Sequence, residues 1–393
     1  QLKRITPEYL FPEVERPSTF AYGTPWPLSE DFYLCNFNFG LYLLDRFGNR
    51  TLIYDPGPGA YRVRDPFPMR PRRMPPVLPT KTWQGKRADL ADHRRAVISI
   101  ANVYDTDEVG RLPEGLKVKW MRIVQVIPQL QDNWFSRESV SQVSFATDSI
   151  GRVPLGVVPV EEDGSVYCEA PVRKAIYFQL LDERGMAVHS MRSATFVHPG
   201  EHLSCQGCHE NRWAGTPRPQ SQPMALMRPP SKILPEVSSG AIPFNFIHLV
   251  KAPVFDKKCV PCHQEHPEAP DMSYASLARN DLAFSYPGEN PALETWGVGG
   301  SRTTPGRFGA RASGIMKSLA TEDYHKDLDM SDDDWRRLTL WLDLNSNEIG
   351  WIGNDRSQIA AQKAGQSLWP PVDMDPSNPS GVEHAYPVAT AAR

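Results

Sequence analysis

Two pentads constrain this chain more than any other feature: Cys205-Gln206-Gly207-Cys208-His209 and Cys259-Val260-Pro261-Cys262-His263. A random chain of this composition would hold roughly 0.002 such motifs, so a pair is no accident. Two thiols separated by two residues, with an imidazole directly behind them, suit one chemistry above others. The thiols form thioethers with the two vinyl groups of a porphyrin, and the imidazole supplies a nitrogen to its iron. A zinc site would bring its Cys-x-x-Cys pairs within about 15–20 residues of each other, whereas 50 residues separate Cys208 from Cys259. A thioredoxin-like motif belongs in a βαβ setting, which neither pentad has, and structural disulfides leave the repeated histidine unexplained. Two covalent c-type haems are therefore expected, one held by Cys205, Cys208 and His209, the other by Cys259, Cys262 and His263.

Haem attachment requires reduced thiols on the outer side of a bacterial membrane, which predicts a periplasmic or otherwise extracytoplasmic protein. No run of 18 apolar residues is present, so no membrane-spanning helix is expected. No apolar stretch follows Gln1-Leu2-Lys3-Arg4, so no signal peptide is visible in this chain. Of the six cysteines, Cys35 and Cys168 are left over. They are read as a disulfide or as buried thiols, with metal ligation as the sharper alternative.

The ligand opposite each histidine decides what a haem does: two strong ligands suit electron transfer, an open position suits catalysis. For the second haem the candidates are His325, Met330 and His248. His325 is favoured because it lies on the approach to a helix capped at Ser331, with Met330 next to that cap. For the first haem the nearby side chains are His189, Met191, His198 and His202, none at a defining spacing, so this haem is expected to be five-coordinate. Trp213, four residues past His209, is read as packing on the haem.

Proline makes up 38 of 393 residues, against a usual ~5%, which predicts many loops and extended connections. The formal charge of −3 argues against a general nucleic-acid binder. A mixed α+β chain is expected, with four parts. Residues 1–80 form a β-rich N-terminal segment, with alternation at Phe32/Leu34, Leu41/Leu43 and Leu52/Tyr54, a turn at Arg46-Phe47-Gly48-Asn49 and a Pro-rich strap from Pro56 to Pro79. Residues 81–234 form a β-rich middle domain, a small antiparallel barrel or sandwich that leads into the first pentad. Residues 235–352 form a mainly helical, cytochrome-c-like domain. Its clearest helix starts at Ser331, with Asp334 completing a capping box and Trp335, Leu338, Trp341 and Leu342 on one face. Residues 353–393 form an extended tail.

The runs Pro159 to Ser165, Tyr177 to Asp182 and Met191-Arg192-Ser193, followed by Pro199-Gly200-Glu201 and Ser204 to Glu210, resemble the middle domain of the hydrazine synthase alpha subunit. The segment from Cys259 to His263 and Trp341-Leu342-Asp343-Leu344-Asn345 are similar to the c-type cytochrome domain that follows it. Residues 20–54 resemble the end of the β-propeller that precedes it. The resemblance implies chemistry on small nitrogen compounds at the first haem. In that family a tyrosine four residues after the motif histidine ligates the iron, and the histidine turns to a zinc ion. Here that position is Trp213, which has no oxygen to offer, so the tyrosinate haem does not carry over; Cys35 remains a candidate zinc thiol.

Three functions follow from these readings. The first is a di-haem c-type cytochrome passing electrons to redox partner proteins within a larger extracytoplasmic complex. The second is a hydrazine-synthase-like oxidoreductase of nitric oxide or ammonia-level nitrogen. The third is a haem-bearing structural subunit of an assembly. Electron transfer ranks first because a covalently held haem carries electrons without further assumptions.

Overall fold

A computed structural model describes residues 5–6, 22–59, 61, 63–89, 95–106, 110–127, 143–144, 151–191, 193–208, 222–238, 245–279, 282–283, 304–351 and 356–366. The backbone forms two compact units, Gln1–Pro79 and Thr80–Arg393.

In the first unit, strands β1 (Trp26–Pro27), β2 (Phe32–Phe37), β3 (Gly40–Asp45) and β4 (Arg50–Tyr54) pair antiparallel in sequence order. The turn between β3 and β4 falls where the sequence marks it. The Asp45 carboxylate accepts from the backbone N–H of Phe47 and Asn49 at 2.8 and 2.9 Å, the local bonding that makes Asp a turn former. Every residue of the edge strand β4 is exposed.

The second unit holds two sheets. One has the order β10–β9–β6–β7, built from β6 (Trp120–Ile127), β7 (Gly151–Pro159), β9 (Ile176–Leu181) and β10 (Ala187–Ser190). The other has the order β11–β5–β8, with β5 (Arg95–Ile100) antiparallel to β8 (Val166–Pro171) and parallel to β11 (His202–Cys205). Ile98, Ile100 and Val166 of one sheet share a core with Met121, Ile123 and Phe178 of the other. The arrangement is a sandwich, and the barrel alternative is corrected. The segment Ser231–Leu234 stitches β8 to β7, exchanging backbone bonds with Tyr167 and Glu169 at one end and Val157 at the other. A bulge lies opposite Ile123 and Val124. There Gly156 has φ +135°, and a Cβ would sit 2.1 Å from the Leu234 carbonyl oxygen, so only glycine fits.

Strand alternation gives the first sheet two buried faces. Met121, Ile123 and Ile127 of β6 and Ile176, Phe178 and Leu180 of β9 enter the sandwich core. Val124 and Tyr177 enter a second, helical core. That core is built on a π-helical segment, Ile247–Cys259, and on helices α1 (Val260–Glu265), α2 (Tyr274–Arg279), α3 (Gly314–Thr321) and α4 (Asp332–Asp343). Phe246 and Phe255 pack on Trp341 with ring centroids 5.1 and 5.9 Å away. Pro253 lies inside the π-helical segment; it cannot donate and crowds the carbonyl four residues back, which the wider winding accommodates. The expected capping box is present at the start of α4: Ser331 Oγ accepts from the Asp334 N–H, and the Asp334 carboxylate accepts from the Ser331 N–H.

Between the two cores, Arg122 of β6 is fully buried. It donates to Glu236, to Gln179 at 2.8 Å, to Asp343 at 3.1 Å and to the Gly185 carbonyl at 3.2 Å. Asp343 also accepts from the backbone N–H of Ala187 and Ala310. Burial pushes its carboxyl up to about 6 against the pull of Arg122 and those amides.

Within the stretch expected to be an extended tail, Arg356–Lys363 form helix α5. This run lacks Pro and Gly and is rich in helix formers. Gln362 anchors it, accepting from the Gly350 N–H at 3.0 Å and donating to the Trp351 carbonyl at 3.1 Å. Among the described residues no helix is long and apolar enough to cross a membrane.

Candidate haem sites

The first thiol pair hangs from the end of β11. The Cys205 carbonyl accepts from the Ala101 N–H at 2.9 Å, and the Gln206 carbonyl accepts from the Asn102 N–H at 3.0 Å. The Gln206 amide donates to Asp105 at 2.9 Å. A Cβ on Gly207 would lie 2.1 Å from the Asp105 carbonyl oxygen, so the loop approaches the 102–105 turn as closely as backbone allows. Cys205 and Cys208 both pack against the sandwich core, beside Leu112, Leu116 and Leu203. His209 and Trp213 lie outside the described residues.

The four side chains weighed for the first haem are dispersed. His202 and Cys205 fall on opposite faces of β11 by strand alternation. His202 Nε2 lies 3.1 Å from the Ser99 hydroxyl, and its ring is 5.6 Å from that of Tyr167. His198 is exposed and packs edge-on against Phe196. His189 is buried on β10. Met191 is half-buried and touches both cores.

The second thiol pair lies where the π-helical segment gives way to α1. Cys259 is the N-cap of that helix and Pro261 sits in its first turn, where a fixed φ and a missing N–H cost nothing. One helical turn then carries Cys262 and His263. Burial pushes the Cys259 thiol up to about 11, whereas Cys262 is exposed. The structure brings His263 and His325 together, with ring centroids 6.4 Å apart and planes 11° from parallel. The Pro270 carbonyl lies 2.7 Å from His263 Nδ1. The Ser318 carbonyl and hydroxyl each lie 3.2 Å from His325 Nδ1. A carbonyl only accepts, so Nδ1 carries the proton in each ring and Nε2 carries the lone pair.

This donor set fits a haem. The 6.4 Å between the ring centroids is close to what two metal–imidazole bonds of about 2 Å each, with the two ring radii, would span if both Nε2 atoms faced one metal. Among the described residues no group of three or more His, Cys, Asp or Glu side chains is placed to hold a metal ion. Two imidazoles alone suit a group that brings its own four equatorial nitrogens. Val260, Ile315, Leu319, Met330 and Trp335 are half-buried apolar side chains packed on the same core. Met330 is thus among them, whereas His248 is exposed on the π-helical segment.

Cys35, on β2 of the first unit, and Cys168, on β8 of the second, are buried free thiols. Burial raises the first and pushes the second up to about 12. The carbonyls that fix the two imidazoles were not legible in the sequence, because any residue type supplies one.

Comparison with known proteins agrees with the fold. A family model for the hydrazine synthase alpha subunit middle domain matches residues 116–210. The solved structure of Kuenenia stuttgartiensis hydrazine synthase superposes with a TM-score of 0.61 at 16% sequence identity, covering 85% of this chain and 56% of that one. The chain therefore spans little more than half the length of that relative, and the likeness is one of fold. No curated protein matches the sequence.

Proposed function

We propose that this chain is a di-haem c-type electron-transfer protein within an extracytoplasmic redox complex. The opposed pair His263 and His325, beside Cys259 and Cys262, carries the reading. Cys259 and Cys262 would hold the second haem covalently, and His263 and His325 would each supply a nitrogen to its iron. When bound, the haem supplies reversible one-electron chemistry. The chain's own residues do the rest. The Pro270 and Ser318 carbonyls hold the imidazoles in one tautomer and make them stronger donors. Two strong ligands favour electron transfer over reaction with a small molecule. Cys205, Cys208 and His209 would hold the first haem.

The test is haem quantitation with EPR of the oxidised protein. Two haems per chain are expected, one of them low-spin with two nitrogen ligands. His325→Ala should turn that signal high-spin and leave the other haem unchanged. An unaltered spectrum overturns the pairing.

The match of residues 116–210 to the hydrazine synthase alpha middle domain favours one second reading, a redox enzyme acting on small nitrogen compounds at the first haem. Nitric oxide added to the reduced protein should then shift the first haem's spectrum alone. No shift removes this reading.

A further inference from the structure

We infer that the rim around His325 is the docking surface for a basic, one-electron carrier protein. The inference rests on the reading of the second haem given above and names the partner it serves.

Two independent observations carry it. The first is access. Cys262 is exposed, and Tyr324, 76% exposed, lies edge-on to His325 with ring centroids 4.6 Å apart. An exposed aromatic ring thus lies against one imidazole of the pair, the kind of side chain found at the centre of transient interfaces. The second is charge. Residues 322–334 carry seven acids and one lysine, a net −6, in a chain whose total is −3. The remaining residues therefore net +3, and negative charge is concentrated at this rim. Across the imidazole pair, residues 257–272 add three acids and two lysines.

Internal pairing leaves much of that charge free. Arg337 engages Asp333, and Ser331 engages Asp334. Lys326 meets Asp323, and Lys258 reaches Asp329 at 3.7 Å, although the Asp329 side chain is fully exposed. Glu322, Asp327 and Asp332 are also exposed. An acidic ring around an exposed aromatic steers a lysine- or arginine-rich partner onto the redox centre and repels an acidic one. With the second haem bound and reduced, one electron would pass to the oxidised centre of the partner, which is the oxidant; no bond would form or break.

The full-length haem-loaded protein is reduced and mixed in a stopped-flow instrument with an oxidised, lysine-rich small cytochrome c as the probe. An acidic flavodoxin serves as the control. The rate with the basic probe should fall about tenfold or more between 10 and 300 mM salt, within the range electrostatic steering provides, and the rate with flavodoxin should rise. E322Q/D327N/D329N should lower the low-salt rate with the basic probe about tenfold and weaken its calorimetric affinity. Tyr324→Ala should slow the reaction without changing the salt slope. EPR of each variant reports the second haem directly. An intact low-spin signal with a salt-independent rate, or with flavodoxin as the faster partner, overturns the docking surface alone. Loss of that signal in the unmodified protein overturns the site on which the inference rests.

Discussion

Replacing Arg122 with Met tests whether the junction between the two cores is held by charge. The guanidinium is fully buried and makes five hydrogen bonds: two to Glu236 and one each to Gln179, Asp343 and the Gly185 carbonyl. Its carboxylate partners are 8% and 1% exposed. Methionine fills comparable volume but leaves two acids in a dry site with no cation. Breaking a buried pair this way costs about 3–5 kcal/mol, or about two to three and a half powers of ten in the unfolding equilibrium. The assay is urea unfolding followed by circular dichroism and by fluorescence of the buried Trp341 and Trp351. The penalty should depend on pH, with a sign that can be worked out. Burial holds the Asp343 carboxyl at about 6, above its ordinary value, and Arg122 opposes that rise. Removing Arg122 lets the carboxyl rise further, so the folded variant takes up a proton more readily than the unfolded chain. A raised acid stabilises the fold below its unfolded pKa, and that contribution is lost as pH climbs through the folded value. The deficit of the variant should therefore be larger at pH 8 than at pH 5. A loss under about 1 kcal/mol, or one that grows on acidification, would refute the buried-triad argument.

Three further outcomes are expected. Gly207→Ala pushes a Cβ into the Asp105 carbonyl and should free the first thiol loop from its turn, lowering bound haem from two to one per chain by pyridine haemochrome. Ser331→Ala removes the cap of α4 and should cost about 1 kcal/mol in urea unfolding, without altering the haem spectra. His325→Met should keep the second haem low-spin and raise its potential in a spectroelectrochemical titration, since methionine favours the reduced iron; a lowered potential would place another residue opposite His263.

The fold was legible where side-chain pattern alone decides. Alternation at Phe32/Leu34 and Leu41/Leu43 marked β2 and β3, and Ser331 with Asp334 marked the start of α4. Strands β8 and β11 are not legible, because their partners are distant: Cys168 faces Ile98, and His202 faces Val97. Such strands owe their form to pairing more than to local preference. The same holds for the sites. The Cys-x-x-Cys-His spacing is local and stands out in the sequence. The choice of His325 against Met330 and His248 depends on where a loop returns, and the signal for that return lay only in its position before the capped helix. Arg122 did leave a trace, as the one charge inside the run from Trp120 to Ile127. A strand buried on both faces can hold such a group only if counter-charges arrive from elsewhere, here Glu236 and Asp343.

That requirement bears on the relation between the two thiol pairs. Cys205 and Cys208 pack on the sandwich core and Cys259 on the helical core, yet β6 and β9 send alternate residues into both. The carboxylate that closes α4 is bonded to Arg122 on the wall between them. Met191 touches both cores, and Gln179 of β9 donates to the Asp343 backbone carbonyl at 2.9 Å. The thiol pairs are therefore mounted on opposite sides of one sheet, Cys205 and Cys208 on the sandwich core and Cys259 on the helical one. Close-packed interiors transmit strain instead of absorbing it, so the separation of the two centres should be set by the sheet. Arg122→Met should loosen α4 and β10 together in hydrogen exchange, whereas two independently packed domains would loosen one at a time.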